Sequence, residues 1–278
     1  MKQLFLFGTI VIIVSVFGCS EHSLSPENEC NIPQDLTKAI SGSSWIYKRT
    51  LLDASGNPTT GNASTYDTLT LLGREPSLIK DGEIAMKLED HYSNDGGLTF
   101  RRDTIYWVIN SSMFFVNNVK IQDQNCNCFY GKDMKWRIYE NCGETDTKII
   151  DTTVQGDSYP SRLANGDIIN TQTDLRLINT YKTIGSEPII VDGKSMSTKK
   201  SQSFVNITSR IVSPNEATFA GNGKRSIQVN DKRDIWTNHE VGVVKEQGIS
   251  TDDSNTGVFN LPLNFERTLV KYTIINMK

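Results

Sequence analysis

Trp45-Ile46-Tyr47-Lys48-Arg49-Thr50-Leu51 alternates along its length and runs into Asp53-Ala54-Ser55-Gly56-Asn57-Pro58. A period of two turns one face of an extended segment inward, and the Gly-Asn-Pro cluster ends it in a turn. The same pattern recurs down the chain. Thr65 to Leu72, Glu83 to His91 and Thr104 to Val119 read as strands, joined by Lys80-Asp81-Gly82 and Ser93-Asn94-Asp95-Gly96-Gly97. Lys135 to Glu140 and Lys148 to Val154 follow, separated by Asn141-Cys142-Gly143. Then come Asp174 to Thr183, Pro188 to Val191, Ser203 to Val212, Ala217 to Ala220, Arg225 to Val229, Val241 to Gln247 and Arg267 to Ile275. The spacing predicts a mainly β protein, an antiparallel meander of hairpins with very little helix, and a single strongly curved antiparallel sheet is favoured over two separate domains. Pro33 to Ile40 can form one short helix with Leu36, Ala39 and Ile40 on one side, and no later segment keeps a 3.6-residue period.

Residues 41–278 therefore read as one β-rich unit. The Gly-, Asp- and Asn-rich segment from Gln155 to Asn170 marks a junction between halves 41–154 and 155–278. Ahead of it, residues 1–18 have the form of a secretory signal: Met1-Lys2-Gln3, an apolar run from Leu4 to Phe17, then Gly18-Cys19. That run is fourteen residues long, short of the roughly 18–20 a helix needs to cross a bilayer core. Residues 19–40, polar from His22 to Pro33, read as a tether that ends in the short helix.

Val16-Phe17-Gly18-Cys19 resembles the lipobox of bacterial lipoprotein precursors. The resemblance implies cleavage before Cys19 and acylation of Cys19 with a diacylglycerol and an amide-linked chain such as palmitate. It thereby implies a membrane partner reached through lipid, because several acyl chains hold stably where one binds marginally. Ser20 stands where an Asp would imply retention in the inner membrane, so the resemblance points to the outer membrane. Ser20-Glu21 also resembles the start of the acidic export signal of Bacteroidota surface lipoproteins, and His22 departs from it. The periplasmic face and the cell surface both stay open.

Cleavage leaves 260 residues (278 less 18) and shifts the formal charge from −3 to −4 as Lys2 is lost. Acidic and basic residues are interspersed, which gives no dense positive footprint for nucleic acid. Setting Cys19 aside leaves Cys30, Cys126, Cys128 and Cys142. An even number in an oxidising compartment predicts two disulfides, with three pairings open. Cys126 and Cys128 are too close to bridge each other without strain. Zinc is the competing reading of Cys126, Cys128 and Cys142, but there is no second cysteine pair at the usual spacing, so bridges are expected and no metal.

Ala217-Thr218-Phe219, Trp236, Val241-Gly242-Val243-Val244-Lys245 and Phe265-Glu266-Arg267-Thr268-Leu269-Val270-Lys271-Tyr272 carry a second likeness. This end of the chain resembles a group of uncharacterised β-rich envelope lipoproteins of Bacteroidota and relatives. Glu216 and Thr237 depart from that group's pattern, as does Glu240, beside the first glycine of its Gly-Val-Gly-Leu-Val-Lys motif. The resemblance implies a curved antiparallel sheet, sometimes likened to the half-barrels of periplasmic lipoprotein carriers, and no enzyme activity. Gly242 between Val241 and Val243 marks a bend or bulge. Val243-Val244 and Leu269-Val270 read as core.

The segments that could carry chemistry are few. His22 lies in the tether, while His91 and His239 fall beside acidic residues near turns and are the candidate general bases of an envelope hydrolase. Gly156-Asp157-Ser158-Tyr159 lacks a matching Asp-x-x-His and reads as a turn. Gly221-Asn222-Gly223-Lys224 lacks the spacing of a phosphate loop. Asp252-Asp253-Ser254-Asn255-Thr256-Gly257 would place Leu263 where a calcium loop needs its bidentate Glu. No catalytic residue and no cofactor is assigned. The expected role is a lipid-anchored envelope protein that binds or builds through a curved β surface, with a small apolar ligand or another envelope protein as partner. Trp107, Phe114, Phe115 and Trp236 are the aromatics that surface could expose, although core is their commoner role.

Overall fold

The structure is a computed structural model that describes residues 32–61, 64–77, 83–117, 122–123, 136–142, 146–155, 159–162, 166–213, 226–252, 259–260 and 263–276. Its strands are β1 (Ser44–Leu51), β2 (Thr65–Pro76), β3 (Ile84–Tyr92), β4 (Arg101–Ile109), β5 (Met113–Asn117), β6 (Gln122–Asp123), β7 (Trp136–Asn141) and β8 (Asp146–Gln155). They continue with β9 (Tyr159–Arg162), β10 (Ile168–Val191), β11 (Lys194–Ser213), β12 (Ser226–Asn238), β13 (Gly242–Asp252), β14 (Phe259–Asn260) and β15 (Phe265–Thr273). The one helical element among the described residues is a 3₁₀ turn over Gln34–Lys38. It buries Leu36, and Ala39 just after it is buried too, whereas Ile40 stays exposed.

One antiparallel sheet takes in all but β6 and β14, in the order β7-β5-β4-β3-β2-β1-β15-β13-β12-β11-β10-β8, with β9 beside β10. The first and last long strands, β1 and β15, are hydrogen-bonded neighbours at the middle of that order. The sheet curls until β7 faces β10 to β12. There the contacts are made by side chains: Asn179 Nδ2 donates to Trp136 O (2.8 Å) and Ser201 Oγ to Tyr139 O (2.9 Å). The result is a sheet nearly closed into a barrel, mainly β and strongly curved as expected.

Several strand boundaries differ from the sequence reading: β11 already begins at Lys194 and β12 runs on to Asn238. Thr104 to Val119 is broken by a turn in which Asn110 Oδ1 accepts from the amides of Ser112 (2.9 Å) and Met113 (2.7 Å), giving β4 and β5. Asp174 to Thr183 and Pro188 to Val191 are one strand, β10. Pro188 is tolerated because this stretch pairs with β11 alone and the carbonyl of its partner Ser197 turns to Asn238 Nδ2, so no rung needs an N–H from Pro188. The junction read over Gln155 to Asn170 contains β9 and the start of β10. Ala217 to Ala220, Gly156-Asp157-Ser158, Gly221-Asn222-Gly223-Lys224 and Asp253 to Gly257 lie outside the described residues.

The interior is layered. Trp45, Leu69, Leu71, Met86, Leu88, Trp107, Phe114, Val243, Val244 and Leu269 form an apolar end with Leu36 of the 3₁₀ turn. Trp107 sits between Trp45 (5.2 Å) and Phe114 (5.3 Å, edge to face), arrangements that aromatic pairs prefer. Beyond residue 183 the β10–β11 hairpin has a register shift, and its far end puts Val191 and Met196 into the same core cluster. Trp236 Nε1, which donates to Glu187 Oε1, and Asn238 Nδ2, which donates to Ser197 O (2.9 Å), hold it there. Gly242 has φ +79° at the start of β13, where an added Cβ would meet Leu36 Cδ1 at 3.0 Å and Trp107 Cζ3 at 3.2 Å. The bend expected at this glycine is thus a turn that packing also requires.

Candidate functional site

Moving along β1 from Trp45 through Tyr47 to Arg49 crosses the barrel from its apolar end into a layer of buried charge. The β13–β15 ladder begins only at Lys245↔Thr268, and the carbonyls of Val241 and Val243, just before it, accept from Trp45 Nε1 (2.9 Å) and Tyr47 OH (2.8 Å). Below these, Arg137 of β7 pairs with Asp231 of β12 (2.6 Å), which also holds Arg233 (3.0 Å). Arg233 reaches Glu246 of β13 (3.2 Å), Glu246 holds Arg267 of β15 (2.7 Å), and Arg267 faces Asp90 of β3 (3.6 Å). Arg49 and Asp67 of β2 form a further pair at 3.1 Å. The four guanidiniums and four carboxylates balance, as buried charge must to be tolerated. A separate buried pair, Lys199 and Glu140 (2.6 Å), lies between β11 and β7.

Burial by itself would raise the carboxyl of Glu246, but the guanidiniums of Arg267 and Arg233 overcome it and hold the group down at about 2. Tyr139 OH also donates to Glu246 Oε1 at 2.6 Å. Asp231 behaves alike: burial opposes ionisation, while Arg233 and Arg137 lower its pKa. Both arginines of the central stretch, Arg233 and Arg267, are raised against their burial by the carboxylates they touch. Asp67 is the exception. Burial outweighs Arg49 and Arg267 there and pushes its carboxyl up to about 6. Phe265 lies beneath three of the guanidiniums, with Arg49 at 4.3 Å and Arg233 at 4.9 Å from its ring centre.

Chemically this layer is a lock. Its central carboxylates, Asp231 and Glu246, are each committed to two guanidiniums, so neither is free to take a proton from a substrate. The histidines weighed from sequence lie elsewhere. His91, near one end of β3, stacks on Phe100 with ring centres 5.0 Å apart. His239 lies in the exposed β12–β13 turn, 3.7 Å from Glu240. That turn packs by Gly242 against Trp107, which pairs with Met86, five residues along β3 from His91. At about 3.4 Å per residue the two histidines belong to opposite ends of the sheet.

The aromatics proposed for an open surface are placed differently. Trp107, Phe114 and Trp236 are buried, and Phe115 is partly buried against a side cluster of Ala85, Val108 and Trp136. Trp107 and Phe114 point inside a sheet that curls back on itself, which removes the open face a shallower curve would leave. Trp236, out of phase with Ile235, is covered from the other side by Glu187 of the β10–β11 hairpin. Val243, Val244 and Leu269 are core as expected. Large side chains that are exposed instead include Tyr66, Leu98 and Phe100. Cys142 follows β7, while Cys19, Cys30, Cys126 and Cys128 lie outside the described residues. Among the described residues no three His, Cys, Asp or Glu side chains come together to hold a metal ion.

The charged layer escaped the sequence reading, although a signal existed. Asp67 shares its strand parity with Leu69 and Leu71, Arg267 with Phe265 and Leu269, and Asp231 and Arg233 with Val229 and Ile235. Charges in phase with the apolar face are the mark of a buried ionic layer.

No family of known proteins matches the chain, and no curated protein matches it. Two solved structures are similar at a distance. A candidate lipoprotein from Parabacteroides distasonis is 16% identical over 88% of this chain and 100% of its own length, with a TM-score of 0.38. A candidate exported protein with a YmcC-like fold from Bacteroides fragilis is 10% identical over 84% of this chain and 97% of its own, with a TM-score of 0.36.

Proposed function

We propose that the chain is a lipid-anchored protein of the bacterial cell envelope, held by acyl chains on Cys19, that works as a binding or structural element through the outside of its curved sheet. The observation that carries the second half of this reading is the filled inward face. An aromatic and aliphatic end and a charge-balanced layer occupy the ground where an apolar ligand would lie. The partner is then another envelope protein, met by the outer strand faces and exposed side chains. The anchor rests on Val16-Phe17-Gly18-Cys19 and the polar tether behind it, and Ser20 favours the outer membrane. The remaining cysteines, Cys30, Cys126, Cys128 and Cys142, pair as two disulfides in this reading.

Fractionation of cells producing the Cys19→Ser variant tests the anchor. The wild type should sediment with membranes and carry acyl mass, and the variant should be unprocessed or soluble. A mature variant that still sediments would refute lipidation. Cross-linking of the wild type in intact cells, with mass spectrometry of whatever co-purifies, tests the role. A recurrent envelope protein supports it, whereas stoichiometric lipid held inside the barrel would replace it with a carrier function.

A further inference from the structure

Beneath the β3–β4 loop three buried polar atoms have no hydrogen-bond partner: Asp67 Oδ1, Asp90 Oδ1 and Arg49 Nε. The β2–β3 register pairs Leu69 with Asp90, so Asp67, two residues before Leu69, is one diagonal step from Asp90 on the same inward face. At that diagonal spacing Asp90 is near enough for its charge to act on Asp67. The second oxygen of each carboxylate is engaged, Asp67 Oδ2 by Arg49 Nη1 at 3.1 Å and Asp90 Oδ2 by Arg267 Nη1 at 3.6 Å. Two neighbouring acceptors therefore lack a donor, and a buried unmet carboxylate oxygen is costly. A single proton cures this, because a protonated carboxyl donates while its other oxygen still accepts.

We propose that Asp67 and Asp90 form a proton-binding site in which Asp67, when protonated, donates to Asp90 and tightens the barrel beneath the Ser93–Gly97 loop. The loop is tied to the same group, since Arg49 Nη2 donates to Asn94 Oδ1 at 3.2 Å. The groups facing Asp67 are Arg49 from β1, Arg267 from β15 and Asp90 from β3, with Tyr92 of β3 over the Arg49 guanidinium. Across the interior Arg233 and Glu246 are engaged with each other.

The direction of the response follows from linkage. Burial is the chief cause that raises the Asp67 carboxyl from its usual 3.8 to about 6 in the closed structure, with Asp90 adding to the rise against Arg49 and Arg267. Local opening hydrates the group and returns it to the ordinary value, so the open form binds the proton less well. Raising the pH from about 4 to 6 then favours opening, and above that range the effect is complete.

Hydrogen exchange at the amides of residues 66–69 and 88–97, corrected for intrinsic rates, tests this between pH 4 and 7. The opening constant should rise roughly a hundredfold and level off above pH 6. Asp67→Asn mimics the protonated form, with an amide N–H for Asp90 and an oxygen for Arg49, and should stay protected at every pH. Asp90→Asn, which removes a lesser contributor and leaves the burial of Asp67 in place, should reduce the slope without abolishing it. A flat wild-type profile, or the full slope persisting in Asp67→Asn, overturns the proposal. Should Asp67→Asn not fold, the wild-type carboxyl carbon resonance of Asp67 decides: a midpoint near 6 supports the site and one at or below 4 overturns it.

Discussion

Arg233 and Gly248 face each other across the β12–β13 ladder, and the guanidinium of one occupies the space a side chain on the other would need. A Cβ on residue 248 would lie 2.8 Å from Nη1 and 2.9 Å from Cζ of Arg233. That guanidinium bridges Asp231 and Glu246, so it cannot shift without loosening both pairs. Gly248→Ala should therefore cost about 1–3 kcal/mol, the range of overpacking in a tight interior. Urea denaturation measures it, and an unchanged midpoint would mean that Arg233 is not confined.

Glu246→Gln removes the partner of two buried arginines. Leaving one half of a buried ion pair typically costs about 3–5 kcal/mol. The wild-type group is held at about 2 against an ordinary 4.5. A lowered carboxyl stabilises the fold above its unfolded value, and that contribution fades as the pH falls from about 4.5 toward 2. Urea midpoints taken between pH 3 and 7 should decline on the acid side in the wild type. The decline should be shallower in Glu246→Gln.

The contrast between interior and exterior rings is directly measurable. Trp107→Ala opens the core between Trp45 and Phe114 and should cost about 3–5 kcal/mol. Phe100→Ala removes an exposed ring and should stay within about 0.5 kcal/mol of the wild type. Equal losses at the two sites would contradict the inward placement of Trp107.

Met196→Asp puts a carboxylate into the apolar cluster where the far end of the β10–β11 hairpin docks. An unpaired buried charge is expelled, so the hairpin end should leave the core while the rest of the sheet persists. Limited proteolysis near Asp192-Gly193 should become at least several-fold faster. An unaltered rate would show that the docking is not held by Met196.

The alternating pattern made the sheet legible, because burial on one face writes itself into every second residue. Strand ends were less so. The Asn110 turn contains no glycine or proline to announce it, and Pro188 looked like an interruption because only pairing reveals that its strand is unpartnered on one side there. The charged layer was hardest. Arg137 and Asp231 stand 94 residues apart, and a charge read alone is taken as solvated. Only its phase against neighbouring apolar residues betrays it, and that phase gains meaning once the curl of the sheet brings β7 over β12.

Placing β15 beside β1 has a consequence for how the molecule comes into being. β1 waits with one edge unpaired until β15, more than two hundred residues further along the chain, has been made. Contacts so distant along the chain make assembly slow and leave sticky intermediates exposed. A barrel wired this way gains its β1–β15 seam only once β15 has been made, however early the hairpins before it have paired.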